Sequence, residues 1–316
     1  LQEGTEAIIL LSQPASGQGT AASPLRPVWT KRLAAGVLAM DVKIPAGQAQ
    51  GPIELVAQDG GDAARASVQV APATVLARGF GSPDDVTVGP DGTIVFSDFG
   101  NQGVNALVPG GLPVALATGI KEPEGVAVAP DGSIVVADQQ RNAALRLDPV
   151  SHCFTTFAAV RNATGADGLD GIALDPDTGD VLFPDSPNGR LLRIGPDGKS
   201  VAPLPGKYVR PTGVAKLPGG GYVVADEYGG RVYKIDAAGR ISAIGGAFAT
   251  PDDVVLYAEG DVLVNSLGDG TIRSIAPEGR VTTLLTGLRN PHGLAVDAAD
   301  NPVSYTHLTL PTILRV

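Results

Sequence analysis

The chain has 316 residues, a formal net charge of −10 and 43% hydrophobic residues, enough apolar side chains for a sizeable core. Its acidity, and the want of any Lys/Arg cluster, argue against nucleic acid or an anionic membrane surface as partner. No apolar run approaches the ~20 residues that span a bilayer, and a single cysteine, Cys153, excludes an internal disulfide.

Residues 1–72 read as short strands over 7–11, 37–44, 53–57 and 64–70, separated by Gly, Pro and Ser turns. Their second half runs Ile44-Pro45-Ala46-Gly47, then Gly51-Pro52-Ile53-Glu54-Leu55-Val56-Ala57-Gln58-Asp59-Gly60-Gly61, and closes on Ala66-Ser67-Val68-Gln69-Val70. That order resembles bacterial immunoglobulin-like modules of the IPT/TIG kind, which implies an incomplete small β-sandwich. Such modules space exported proteins, so an extracellular or periplasmic location is expected, although no signal-peptide pattern follows Leu1.

From residue 73 a repeat takes over. Pro83-Asp84-Asp85-Val86-Thr87-Val88-Gly89-Pro90-Asp91-Gly92-Thr93-Ile94-Val95-Phe96-Ser97-Asp98 returns as Pro123-Glu124-Gly125-Val126-Ala127-Val128-Ala129-Pro130-Asp131-Gly132-Ser133-Ile134-Val135-Val136-Ala137-Asp138. Weaker copies begin at Leu169, Pro211, Pro251 and Pro291, a step of 40 to 46 residues. Each unit predicts four short strands: an alternating run, a reversal at Pro-Asp-Gly, a β-rich run ending in an acid, and two further strands such as 144–147 and 154–158. The expectation is an all-β, six-bladed β-propeller over 73–301, its last blade closed by the amino-terminal strand 74–80, behind the sandwich segment.

The repeated Pro-x-Gly-Val-Ala-Val-x-Pro-Asp-Gly-x-Ile-Val-Val-Ala-Asp resembles the NHL-repeat family and the regucalcin/gluconolactonase propellers. Asp175-Pro176-Asp177-Thr178-Gly179-Asp180-Val181-Leu182-Phe183-Pro184-Asp185-Ser186 is similar to the matching stretch of strictosidine-synthase-like propellers. Residues 302–316 depart from the repeat: Pro302-Val303-Ser304-Tyr305-Thr306-His307-Leu308-Thr309-Leu310-Pro311-Thr312 resembles translated sequencing-adapter read-through, so no role is expected of His307.

In a propeller the first strand of each blade lines the channel. The residues after the repeat starts, Asp84, Glu124, Asp170, Thr212, Asp252 and His292, are therefore expected to ring one mouth, with Asp85 and Asp253 beside them. Converging acids repel unless a cation or protons compensate them, so these residues are candidates for binding a small molecule or a protein. Glu124, Asp170 and Asp252 are candidates for one divalent cation, Ca, Mn or Zn. Turn capping by the same acids is the competing reading. The gluconolactonase resemblance implies a metal held through Glu-Gly, Asn-Gly and Asp-Gly contexts. Glu124-Gly125 and Asp170-Gly171 match two of these, while Thr212-Gly213 stands where an Asn-Gly would. The alternative function it implies is a metal-dependent lactonase, in which the metal polarises the lactone and an acid such as Asp252 serves as general base. Asp98, Asp138, Asp185 and Asp226 end the second strands before polar or Gly-bearing turns, where capping explains them.

Overall fold

The computed structural model describes strands at 6–10, 27–32, 51–59 and 62–70. It also describes residues 74–307, apart from 149 and 161–167, and the strand at 311–315. The chain divides into two units: residues 1–72 with 282–285, and residues 73–281 with 286–316. Among the described residues no helix is long and apolar enough to cross a membrane.

Five antiparallel four-stranded sheets are each built from consecutive strands, and each is one blade of a propeller. Blade 1 begins with Pro83–Val88 and Ile94–Asp98, blade 2 with Pro123–Val128 and Ile134–Asp138. Blade 3 has a first strand of only Ala173–Leu174 before Val181–Asp185. Blades 4 and 5 open with Pro211–Lys216 and Pro251–Leu256.

One expectation is corrected. The repeat does not deliver six blades of one kind. It delivers five, followed by a composite sheet in the order His292–Val296, Pro302–His307, Pro311–Arg315, Thr74–Arg78. The physical reason is that the repeat pattern stops after Asn301. Its outer strands therefore come from the atypical carboxy-terminal segment and from the strand that precedes blade 1. Among the described residues the amino-terminal strands pair as Glu6–Leu10 with Pro27–Arg32 and Gly51–Asp59 with Asp62–Val70. The strand expected over 37–44 lies outside the described residues.

The second strand of each blade is apolar without alternation because neighbouring blades cover both its faces; Ile94–Asp98, Ile134–Asp138, Val181–Asp185 and Val262–Ser266 are buried throughout. The fourth strands, such as Val114–Thr118, are largely exposed and carry mixed residues. The core accordingly lies between blades. Val95 and Val104 of blade 1 pack with Val126 and Leu145 of blade 2, and Val223 and Val232 of blade 4 with Val254 and Val264 of blade 5. Each such side chain contributes about 1.5–3 kcal/mol on full burial.

The Pro-Asp-Gly reversal follows its chemistry. Gly92 takes φ +80°, Asp91 Oδ1 accepts from the Thr93 amide at 3.0 Å, and the Gly89 amide donates to the Thr93 carbonyl at 2.8 Å. The strand before it carries the feature that positions the site. Between Pro83 and Val86, Pro123 and Val126, Pro211 and Val214, and Pro251 and Val254, the pairing with the second strand slips. A slip of this kind bends the strand and re-aims its side chains. The residues inside it are the ones that follow each repeat start.

Candidate ligand-binding site

The irregular starts of the first strands bring the expected ring together. His292 Nδ1 lies 3.3 Å from Asp84 Oδ1 and 3.4 Å from Asp252 Oδ2. Glu124 is hydrogen-bonded to Asp84. Thr212 Oγ1 donates to the Asp252 carbonyl at 2.6 Å. Ser186 Oγ lies 3.2 Å from Asp170 Oδ2 and donates to the Pro211 carbonyl at 2.6 Å.

Two residues that sequence reasoning missed complete the ring. Arg210 Nη2 lies 3.1 Å from Asp170 Oδ2, and its other Nη pairs with Glu227. Its guanidinium carbon also stands 5.3 Å from the ring centre of Tyr228, an exposed aromatic. A signal for them exists in the sequence. Arg210 immediately precedes a repeat start and Glu227 immediately follows a strand-ending acid, and the Glu227 amide donates to the Arg210 carbonyl at 2.9 Å. The amide pairs Phe99–Ser82, Gln139–Glu122 and Leu267–Thr250 occupy the same places, but only Arg210 and Glu227 carry opposite charges.

The ring's protons are unevenly held. Burial pushes the Asp84 carboxyl up, but hydrogen bonds from Glu124 and His292 overcome it and bring the pKa down to about 2. Burial, then the Asp84 charge, hold Glu124 well above the usual carboxylate range. Asp170 is raised by burial against the opposing pull of Arg210, and Glu227 likewise by burial. Burial opposes protonation of His292, but Asp252 and Asp84 outweigh it and hold the imidazole well above its ordinary value. Around the ring, Glu124 is thus a neutral donor to a carboxylate, His292 an imidazolium between Asp84 and Asp252, and Arg210 a cation between Asp170 and Glu227. Unlike environments for neighbouring acids are a mark of functional sites.

The three carboxylates expected to hold a cation each face a different partner in the ring. Glu124 is hydrogen-bonded to Asp84, Asp170 faces Arg210 and Ser186, and Asp252 faces His292. No group of three or more His, Cys, Asp or Glu suited to a metal ion occurs among the described residues.

Asp85 and Asp253 do something different. Asp85 accepts from its neighbour Val86 at 2.7 Å and from the Val126 amide of blade 2 at 2.8 Å. Asp253 repeats this with Val254 at 2.8 Å and Leu294 of the composite sheet at 2.7 Å. Where glycine takes their place, the blades meet by backbone. The Gly171 amide donates to the Thr212 carbonyl at 3.0 Å, and a Cβ on Gly171 would lie 2.5 Å from that oxygen. The strand-ending acids are caps, as the sequence implied. Asp98 accepts from the amides of Gly81, Ser82 and Asn101, and Asp226 from those of Val209, Arg210 and Gly229.

No family model and no curated protein matches the chain. Solved structures do. A gluconolactonase from Xanthomonas campestris matches at TM-score 0.66 and 16% identity, covering 77% of this chain and 89% of that one. A calcium-binding regucalcin from Agrobacterium tumefaciens matches at 0.62 and 14%, covering 75% and 90%. A catalytically inactive histidine-to-alanine virginiamycin B lyase from Staphylococcus aureus, solved with quinupristin, matches at 0.57 and 16%, covering 77% and 87%.

The chain shares their propeller fold. At these identities the likeness is one of fold alone.

Proposed function

We propose that the mouth binds a small, neutral, hydroxyl-rich molecule. The observation that carries this reading is the self-compensated ring. Asp84 and Asp252 offer acceptors for hydroxyl groups, Glu124, Asp170 (raised by burial to about 8) and Arg210 offer donors, and the two ionised acids are matched by His292 and Arg210. A charged ligand would upset that balance; a neutral polyol would not. Tyr228, two-thirds exposed beside Arg210, adds an apolar face against which a sugar-like ring can lie. A protein partner at the same mouth is less favoured, since the binding groups sit inside the ring rather than on a broad apolar patch.

A second reading, lactone hydrolysis, draws support from the pairing of Glu124, held protonated, with Asp84, held ionised. Glu124 is then a proton donor for the leaving oxygen, with Asp252 beside His292 as the candidate base. The likeness in fold to a gluconolactonase agrees with it.

Calorimetric titration with a panel of neutral sugars and aldonolactones tests both. The expected result is saturable binding of at least one neutral ligand, weakened at least ~10-fold (about 1.4 kcal/mol) by Asp84→Asn and by Tyr228→Ala. Hydrolysis of a bound lactone, lost in Glu124→Gln, would favour the second reading. Saturable Ca²⁺, Mn²⁺ or Zn²⁺ binding that Glu124→Gln abolishes would contradict the self-compensated ring, and with it the neutral-ligand reading.

A further inference from the structure

The channel below the ring is a separate space. A cavity of 680 Å³ runs between the first strands from the level of Asp85 and Asp253 to the turn at Pro218 and Gly219. None of Asp84, Glu124, Asp170, Thr212, Asp252 or His292 lines it. Its lining is mostly apolar, from Val86, Val126, Val214, Val254 and Leu294 of the first strands; Lys216, whose Nζ is paired with Asp175 at 3.0 Å, also lines it. Pro218 and Gly219 are exposed, so the cavity opens on the face opposite the mouth. Its size falls within the ~300–1,000 Å³ of small-molecule sites.

The inner end of this apolar space is not apolar. Asp85 and Asp253 line it from the two first strands that flank His292–Val296, each tied to the strand beyond its own by one carboxylate oxygen. Each oxygen accepts one amide and keeps a further acceptor site; burial and the surrounding carboxylates hold both groups above the usual carboxylate range, Asp253 at about 7, so a cation placed beside them is what favours their ionised form. The strongest charges acting on this pair are other carboxylates: Asp253 and Asp84 on Asp85, Asp252 and Asp84 on Asp253. The ring above balances its acids with His292 and Arg210. This pair faces an apolar cavity instead, and acceptors at the end of such a cavity select a ligand whose buried end donates.

We propose that the channel is a second binding site, for an apolar molecule bearing one primary amine, its hydrocarbon part between the first strands and its ammonium against Asp85 and Asp253. The site goes beyond the mouth reading and does not depend on it. Apolar burial supplies the affinity, and the carboxylate pair supplies the preference for a cation over an uncharged donor.

Phenylbutylamine and phenylbutanol are the probes, titrated calorimetrically into the full chain and into two variants that fill the outer half of the cavity, Val88→Trp and Val296→Trp. The proposal expects one-to-one binding of the amine, at least ~10-fold tighter than the alcohol (about 1.4 kcal/mol). It expects that binding to fall at least ~10-fold in whichever Trp variant keeps the parent far-ultraviolet circular dichroism. Three results would overturn it: no saturable amine binding, equal affinity for amine and alcohol, or amine binding untouched by filling the cavity. Asp253→Asn adds a check that leaves the walls intact. If it folds, it should bring the amine's affinity down to that of the alcohol, and an unchanged preference would also overturn the proposal.

Discussion

His292 Nδ1 stands 3.4 Å from Asp252 Oδ2, joining the first strand of the composite sheet to that of the neighbouring blade 5 at the mouth. The two residues lie one repeat apart, each just after its repeat-start proline. The contact thus follows from the repeat, while its charge follows from replacing an acid by a histidine at one position.

The pair makes stability depend on pH. His292 is held above the imidazole value of 6.5 in the folded chain, so the folded state binds that proton more tightly than the unfolded one. Its stabilisation is fully present below about 6.5 and is lost as the pH rises through the folded value. Thermal unfolding of His292→Ala should show a loss of about 1–3 kcal/mol at pH 6. The loss should shrink on the alkaline side, where the parent chain has already given up the interaction.

Glu124→Gln should behave in the opposite sense. Glu124 is held well above 4.5 by burial and by Asp84. From that ordinary value up to the raised one, the folded chain keeps a proton that the unfolded chain has released, so stability falls as pH rises. A glutamine cannot ionise and still donates to Asp84. Denaturant melts should place the variant within about 1 kcal/mol of the parent at pH 5 and above it at pH 8.

Asp253 carries a structural load. Its carboxylate accepts from the amides of Val254 and Leu294, and burial holds its pKa at about 7. Asp253→Ala leaves both amides without that acceptor and should cost about 2–4 kcal/mol. Asp253→Asn keeps one acceptor oxygen and should recover roughly half of that. Equal midpoints for the alanine variant and the parent in urea would contradict the role.

What the sequence disclosed, it disclosed through periodicity. The Pro-Asp-Gly turns and acid-ended strands recur, so the strands of blades 1, 2, 4 and 5 were legible. So were the mouth positions Asp84, Glu124, Asp170, Thr212, Asp252 and His292, because each follows a repeat start. The composite make-up of the last sheet was not. The pattern ends at Asn301, and no local signal shows that Pro302–His307 and Pro311–Arg315 fill the sheet against Thr74–Arg78. Arg210 and Glu227 flank the repeated positions rather than occupy them, and their pairing joins segments that meet only in the folded blade. Of the ring's two cations, His292 was legible at a repeat start and Arg210 was not.

The most direct test is the protonation of His292. The chain holds three histidines, at 152, 292 and 307, and NMR titration of the imidazole signals, with His292→Ala for assignment, reads each one separately. The account predicts that the His292 signal titrates well above 6.5 and remains imidazolium through neutral pH. A His292 signal titrating at or below 6.5 would mean that Asp84 and Asp252 do not hold a cation between them, and the self-compensated mouth would fall with it.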